Sequence, residues 1–183
     1  MPIRQRTAPK IERGATFSEG DGKLFRYLLW RIWDASKPLL IFIMLNPSTA
    51  DENKNDPTVE RCERRARRDG FGGVMVLNIF AFRATDPKDM KAAEDPIGPH
   101  NDYFIRSIMM KAKYQGDTLI VAWGSHGRYR DRAKQVADHA KEIGVTLYAL
   151  GLTKSYEPRH PLYLKNDAQM IPWPKMLRLK RKL

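Results

Sequence analysis

The chain has 183 residues, 42% of them hydrophobic and 10% aromatic, which is the scale of one ordinary domain with a real core. There are 33 Lys and Arg against 21 Asp and Glu, a net charge of +12 that favours an anionic partner, nucleic acid first among them. The single cysteine, Cys62, excludes an internal disulfide and a cysteine-built zinc site, and the four histidines show no metal-ligand spacing, so no metal and no other cofactor is expected.

In chain order, the opening MPIRQRTAPK lacks the apolar stretch of a secretory signal, and no run approaches bilayer length. The expectation is a cytoplasmic protein with no membrane partner. Residues 1–22 read as a basic, flexible arm. KLFRYLLWRIW, residues 23–33, alternates loosely and is rich in aromatics, which predicts a strand. After the turn Ser36-Lys37-Pro38, LLIFIML is continuously apolar and predicts a strand buried on both faces, paired with its predecessor as a hairpin or neighbour. That strand ends abruptly in NPSTAD, residues 46–51. Asp56 before Pro57 is a helix start, an N-cap acceptor followed by proline at the first helical position. The helix runs to about Asp69, stopped by Gly70, with a thin apolar face (Val59, Cys62, Ala66) and an arginine-rich remainder that includes Arg64 and Arg68.

GGVMVLNIF predicts a second buried strand, and residues 83–100 read as a long connection rich in proline and charge. NDYFIRSIMMKAKY predicts a helix with Phe104, Ile105, Ile108, Met109 and Ala112 on one face. DTLIVAWG is a third strand, YRDRAKQVADHAKEIG a helix, and VTLYALG a fourth strand. Residues 175–183 form a basic tail. The alternation predicts a single α/β domain over residues 1–183. Its layers are α/β/α, around a mainly parallel four-stranded sheet with one extra N-terminal strand.

Each of the four central strands ends in polar residues: Asn46 and Ser48; Asn78, then Phe80 and Arg83; Ser125 and His126; and Gly151 leading to Arg159 and His160. Ligands of open parallel sheets bind outside the carboxyl ends of the strands, so the four endings predict one site. Asn46 and Asn78 each offer a donor and an acceptor side by side, which suits the edge of a base. His160 sits between Arg159 and Pro161, where the proline stiffens its position. Asn46, Asp51 and His160 are the candidate catalytic residues. Asn78, Phe80, Ser48 and Leu164 are candidates for contacting a base; Arg159, Arg83, Ser125, Arg64 and Arg68 are candidates for phosphate.

LNPSTAD, VLNIFAFRATDP, WGSHG and RHPLYL together resemble the domain-of-unknown-function family 1643 of bacteria and phages, from Phe25 to about Pro174. A more distant similarity is to the uracil-DNA glycosylase superfamily. Met44-Leu45-Asn46-Pro47 is similar to that superfamily's first-strand motif without its glycine. Val76-Leu77-Asn78 resembles its second strand ending, Val121–Gly124 its third, and His160-Pro161-Leu162-Tyr163-Leu164 its final motif. This resemblance implies that Asn46 orients the attacking water and Asn78 reads the base edge. It also implies that His160 stabilises the departing base anion and that Leu164 lies near the duplex wedge. Asp51 is the nearest carboxylate to assist Asn46. No aromatic follows the first motif, so the stacking role falls to Phe80 or Phe82. The function expected is action on a base or modified base in DNA by N-glycosidic cleavage or related base processing. A non-catalytic nucleic-acid-binding module of the same fold, and an enzyme acting on a free nucleotide, stand beside it.

Overall fold

A computed structural model of the chain describes residues 11–173. Seven strands form one sheet: β1 Glu12–Phe17, β2 Arg26–Ile32, β3 Leu39–Met44, β4 Gly73–Asn78, β5 Thr118–Val121, β6 Leu147–Ala149 and β7 Ile171–Pro172. The helices are α1 Pro57–Arg68, α2 Pro87–Ala92, α3 Asn101–Gln115 and α4 Arg132–Ile143. The spatial order is β1-β2-β4-β3-β5-β6-β7. The four central strands, β4-β3-β5-β6, are mutually parallel, and the flanking strands run antiparallel to them.

β3 shows why the central strands are apolar throughout. Leu39, Ile41 and Ile43 enter the core on one face, and Leu40, Phe42 and Met44 enter the core on the other. Side chains of a strand alternate in direction, so a strand covered on both sides must be hydrophobic at every position. α1 covers one face with Val59, Cys62 and Ala66. α3 and α4 cover the opposite face with Ile105, Met109, Ala112, Ala133, Val136 and Ala140. Asp56 caps α1, its side chain accepting the Val59 N–H at 2.8 Å, and Pro57 occupies the first turn.

Three features differ from the sequence reading. The sheet has seven strands, not four and one. β2 pairs with β1 and β4, so it is not a hairpin partner of β3: the chain passes from β2 to β3 with β4 inserted between them. Residues 12–17, expected within a flexible arm, form β1 because β2 offers them a free edge and a six-residue register. The remainder of the arm, residues 1–10, and the basic tail lie outside the described residues.

Two crossovers position the site. The chain goes from β3 through α1 on one face to β4. It then crosses β3 on the other face to reach β5 and continues through α4 to β6. β3 and β5 are therefore adjacent strands whose connections leave in opposite directions, a topological switch point that opens a crevice at their carboxyl ends.

Candidate functional site

A cleft of about 550 Å³ lies at that switch point, within the range that accommodates a small molecule or a base. All four parallel strands contribute to it: Met44, Leu45, Asn46 and Ser48 after β3; Asn78 at the end of β4; Trp123, Gly124, Ser125 and His126 after β5; Thr153, Arg159 and His160 after β6. Arg26 of β2, and Asp56, Thr58 and Val59 at the start of α1, complete one wall, and Leu162 and Tyr163 stand at its border.

The loop NPSTAD is held from behind by two buried arginines of β2. Arg26 donates through Nη1 to the Ala50 carbonyl at 2.8 Å. Arg31 donates through Nη2 to the Asp51 carbonyl at 2.6 Å and through Nε to Asn55 Oδ1 at 3.1 Å. From the front, Ala84 N–H donates to the Pro47 carbonyl at 2.9 Å. The abrupt end of β3 is thus a rigid shelf tied on both sides.

The two amides are turned in opposite senses by their partners. Asn46 Nδ2 donates to the carbonyls of Ala84 at 2.7 Å and Pro47 at 3.2 Å, so the nitrogen is engaged and Oδ1 remains as an acceptor. Asn78 is only 1% exposed. Its Oδ1 accepts from Arg26 Nη2 at 3.3 Å, and its Nδ2 has no partner among the described residues. The antiparallel register Leu29↔Val76 brings the start of β2 alongside the end of β4, which sets Arg26 beside Asn78. Asn101 fixes the same strand end by donating to the Asn78 and Ile79 carbonyls, both at 3.0 Å.

His160 opens the 3-10 turn Pro161–Tyr163, and its Nδ1 accepts from the Leu162 N–H at 3.4 Å. That contact assigns the remaining proton of a neutral imidazole to Nε2. Burial pulls the His160 pKa below its ordinary 6.5, opposed by the charge of Asp56, so the ring is neutral at pH 7. Burial likewise pulls the Arg26 pKa down to about 10, again opposed by Asp56, and the guanidinium remains charged. Asp56 is therefore the carboxylate whose field reaches both residues. One of its oxygens caps α1.

The structure brings Asn46, Ser48, Asn78, Ser125, Arg159 and His160 into one cleft. It places the other candidates elsewhere. Asp51 does not line the cleft: its Oδ1 accepts the N–H groups of Asn53 and Lys54, both at 2.8 Å, and these bonds hold its pKa below the ordinary carboxylate value. Phe80 is fully buried and packs against Tyr129 at 5.8 Å, so it is core and no stacking platform. Phe82 packs edge-on against Phe25. Leu164 turns toward α1, where its carbonyl accepts from Arg61 and its side chain packs near Gly151. Arg64 and Arg68 belong to a separate basic pocket on α1, ion-paired with Glu60 and Asp69. Arg83 lines a shallow depression beside the cleft that shares Ser48 with it.

Four cleft residues escaped the sequence reading in their functional sense. Asp56 was read only as a helix cap. Arg26 was read only as a strand residue, although an arginine within an otherwise apolar strand signals a buried polar target. Trp123 supplies the large ring that Phe80 does not; its Nε1 donates to Glu157 at 3.0 Å. Tyr163, 69% exposed, projects where Leu164 was expected. Among the described residues no group of three or more His, Cys, Asp or Glu is disposed to hold a metal ion, and no helix is long and apolar enough to cross a membrane.

The family described as a protein of unknown function, DUF1643, matches residues 26–162. No curated protein matches the chain. Among solved structures, hetero-hexameric glutamate dehydrogenase from Thermus thermophilus in its Leu-bound form is similar at 13% identity and a TM-score of 0.33. That likeness covers 74% of this chain and 31% of the dehydrogenase chain.

Proposed function

We propose, for a chain that belongs to the DUF1643 family, that the strand-end cleft binds the heterocyclic base of a nucleic acid, DNA in the first place, and that the protein cleaves its N-glycosidic bond. The observation that carries this reading is the meeting of Asn46, Asn78 and His160 in one cleft with complementary polarity. Asn46 offers an acceptor, Asn78 a buried N–H without a partner, and His160 a neutral imidazole with a proton to donate. A buried donor left unpaired costs about 1–3 kcal/mol, which a ligand acceptor would recover.

In this reading water attacks C1′ of the sugar, the C1′–N bond breaks, and its electron pair leaves with the base. The Asn78 Nδ2–H and His160 Nε2–H groups stabilise the anion as it develops. Asn46 Oδ1 orients the water but cannot take its proton. The proton passes to Asp56, the carboxylate lining the cleft. Trp123 offers the face of the base an aromatic surface, Arg159 faces a flanking phosphate, and Tyr163 and Leu162 fill the gap left by an extruded nucleotide. The test is incubation of the full chain with single- and double-stranded DNA carrying uracil, hypoxanthine, damaged or hypermodified bases. Alkali-labile abasic sites are expected, and are lost in His160→Ala. Failure to release any base, together with no shift in melting temperature by any nucleoside, overturns the reading.

A second reading, action on a free nucleotide, is favoured by the distribution of charge. Residues 1–10 and 174–183 contain three and five basic residues and no acidic one, so the ends carry eight of the twelve net positive charges. A nucleotide that raises the melting temperature of a protein that fails to bind oligonucleotides selects this second reading.

A further inference from the structure

We infer that Arg26 is a specificity-determining positioning residue. It turns the Asn78 amide so that the ring edge opposite must be an acceptor, a carbonyl-edged heterocycle in preference to an amino-edged one. The inference rests on the base-binding reading of the cleft and deepens it.

An asparagine normally presents both senses of hydrogen bond, and its amide reads a base edge by offering one of each. Here the choice is made by the neighbour. A guanidinium has donors only, so the Asn78 atom 3.3 Å from Arg26 Nη2 is the carbonyl oxygen. The amide cannot turn over without setting N–H against N–H. Arg26 is itself 2% exposed and anchored by its 2.8 Å bond to the Ala50 carbonyl, so it does not swing away. Asn101 holds the backbone of Asn78 from the far side. What remains of Asn78 for a ligand is Nδ2, buried and unpartnered. A carbonyl oxygen opposite this nitrogen restores its missing bond; an exocyclic amino group opposite it leaves two donors facing each other in a site from which water is excluded. Sites built around a buried polar group reject the analogue that fails to pair with it far more strongly than apolar pockets reject a change of size.

The test uses two isosteric pairs that exchange oxygen for nitrogen at one ring position, uridine against cytidine and inosine against adenosine. Each is titrated as the free nucleoside and within an otherwise identical short oligonucleotide. The full chain is expected to bind the carbonyl member about ten- to a hundredfold more tightly. Asn78→Asp keeps the shape and the bond from Arg26 but presents an oxygen to the ligand, so the preference reverses. Arg26→Gln, which can donate or accept, releases the amide and narrows the ratio. Equal affinities within both pairs overturn the inference, as does an Asn78→Asp protein that keeps the original order. If Arg26→Gln fails to fold, Asn78→Asp alone decides. If neither member of either pair binds in any form, the base-binding reading falls, and this inference falls with it.

Discussion

Asp56 has two separable tasks, and two substitutions divide them. Asp56→Ala removes the 2.8 Å bond to the Val59 N–H and leaves the first turn of α1 without its side-chain acceptor. Loss of an N-cap of this kind costs about 1 kcal/mol. In a chain of this length that lowers the melting temperature by about 2–4 °C. Asp56→Asn retains an acceptor of the same geometry and loses only the favourable charge at the helix start, about 0.3–1 kcal/mol. Asn is thus expected to unfold in urea near the wild-type midpoint and Ala below it, with unchanged denaturant slopes. Both remove the carboxylate from the cleft. Base release is expected to fall about 10²- to 10⁴-fold in both, the contribution of a general base. A stable Asp56→Asn protein with little activity is therefore the diagnostic result. If Asn destabilises as much as Ala, the fold uses the charge and the cap argument fails. If Asn retains full activity, Asp56 does not take the proton of the water.

Three further outcomes follow from the same geometry. Phe80→Ala empties a fully buried ring site and is expected to cost about 3–5 kcal/mol while leaving the ranking of ligands in thermal-shift titrations unaltered; a selective loss of one base would restore Phe80 as a contact. Asp51→Ala is expected to lower the urea midpoint by releasing the Asn53 and Lys54 N–H groups, with the turnover rate of the folded protein unchanged; a catalytic defect without a stability defect would return Asp51 to the site. His160, held below its ordinary 6.5, is neutral in the folded chain while the unfolded chain takes up a proton first as pH falls past about 6.5. Stability is lost from that point down to the folded pKa, and above it the residue contributes no slope. Urea midpoints measured from neutral pH downward should fall less steeply for His160→Asn than for wild type; parallel curves refute the shift.

Local pattern carried much of the fold. LLIFIML reads as a doubly covered strand because both faces of β3 must be apolar, and Asp56-Pro57 marks α1 because capping involves only neighbours in sequence. The convergence of Asn46, Asn78 and His160 followed from chain order and the strand-end rule. The same capping signal stands at Asp86-Pro87, where α2 begins, but that helix is six residues long with only Met90 buried, too short for periodicity to show within a proline-rich run. β1 escaped notice because its order depends on pairing with β2, a non-local partner. Phe80 was misjudged because alternation does not say how far the core extends beyond a strand end.

The division at the site is sharper. Residue types and spacing were enough to state that two amides and an imidazole belong at one sheet edge. Which atom each amide turns toward a ligand, and that Asp56 and not Asp51 faces the cavity, came only with the folded coordinates. The physical reason is that an amide is nearly symmetric in shape and is oriented by whatever it touches: Arg26 for Asn78, the Ala84 carbonyl for Asn46. Those partners lie 52 and 38 residues away along the chain, so no local pattern encodes the choice.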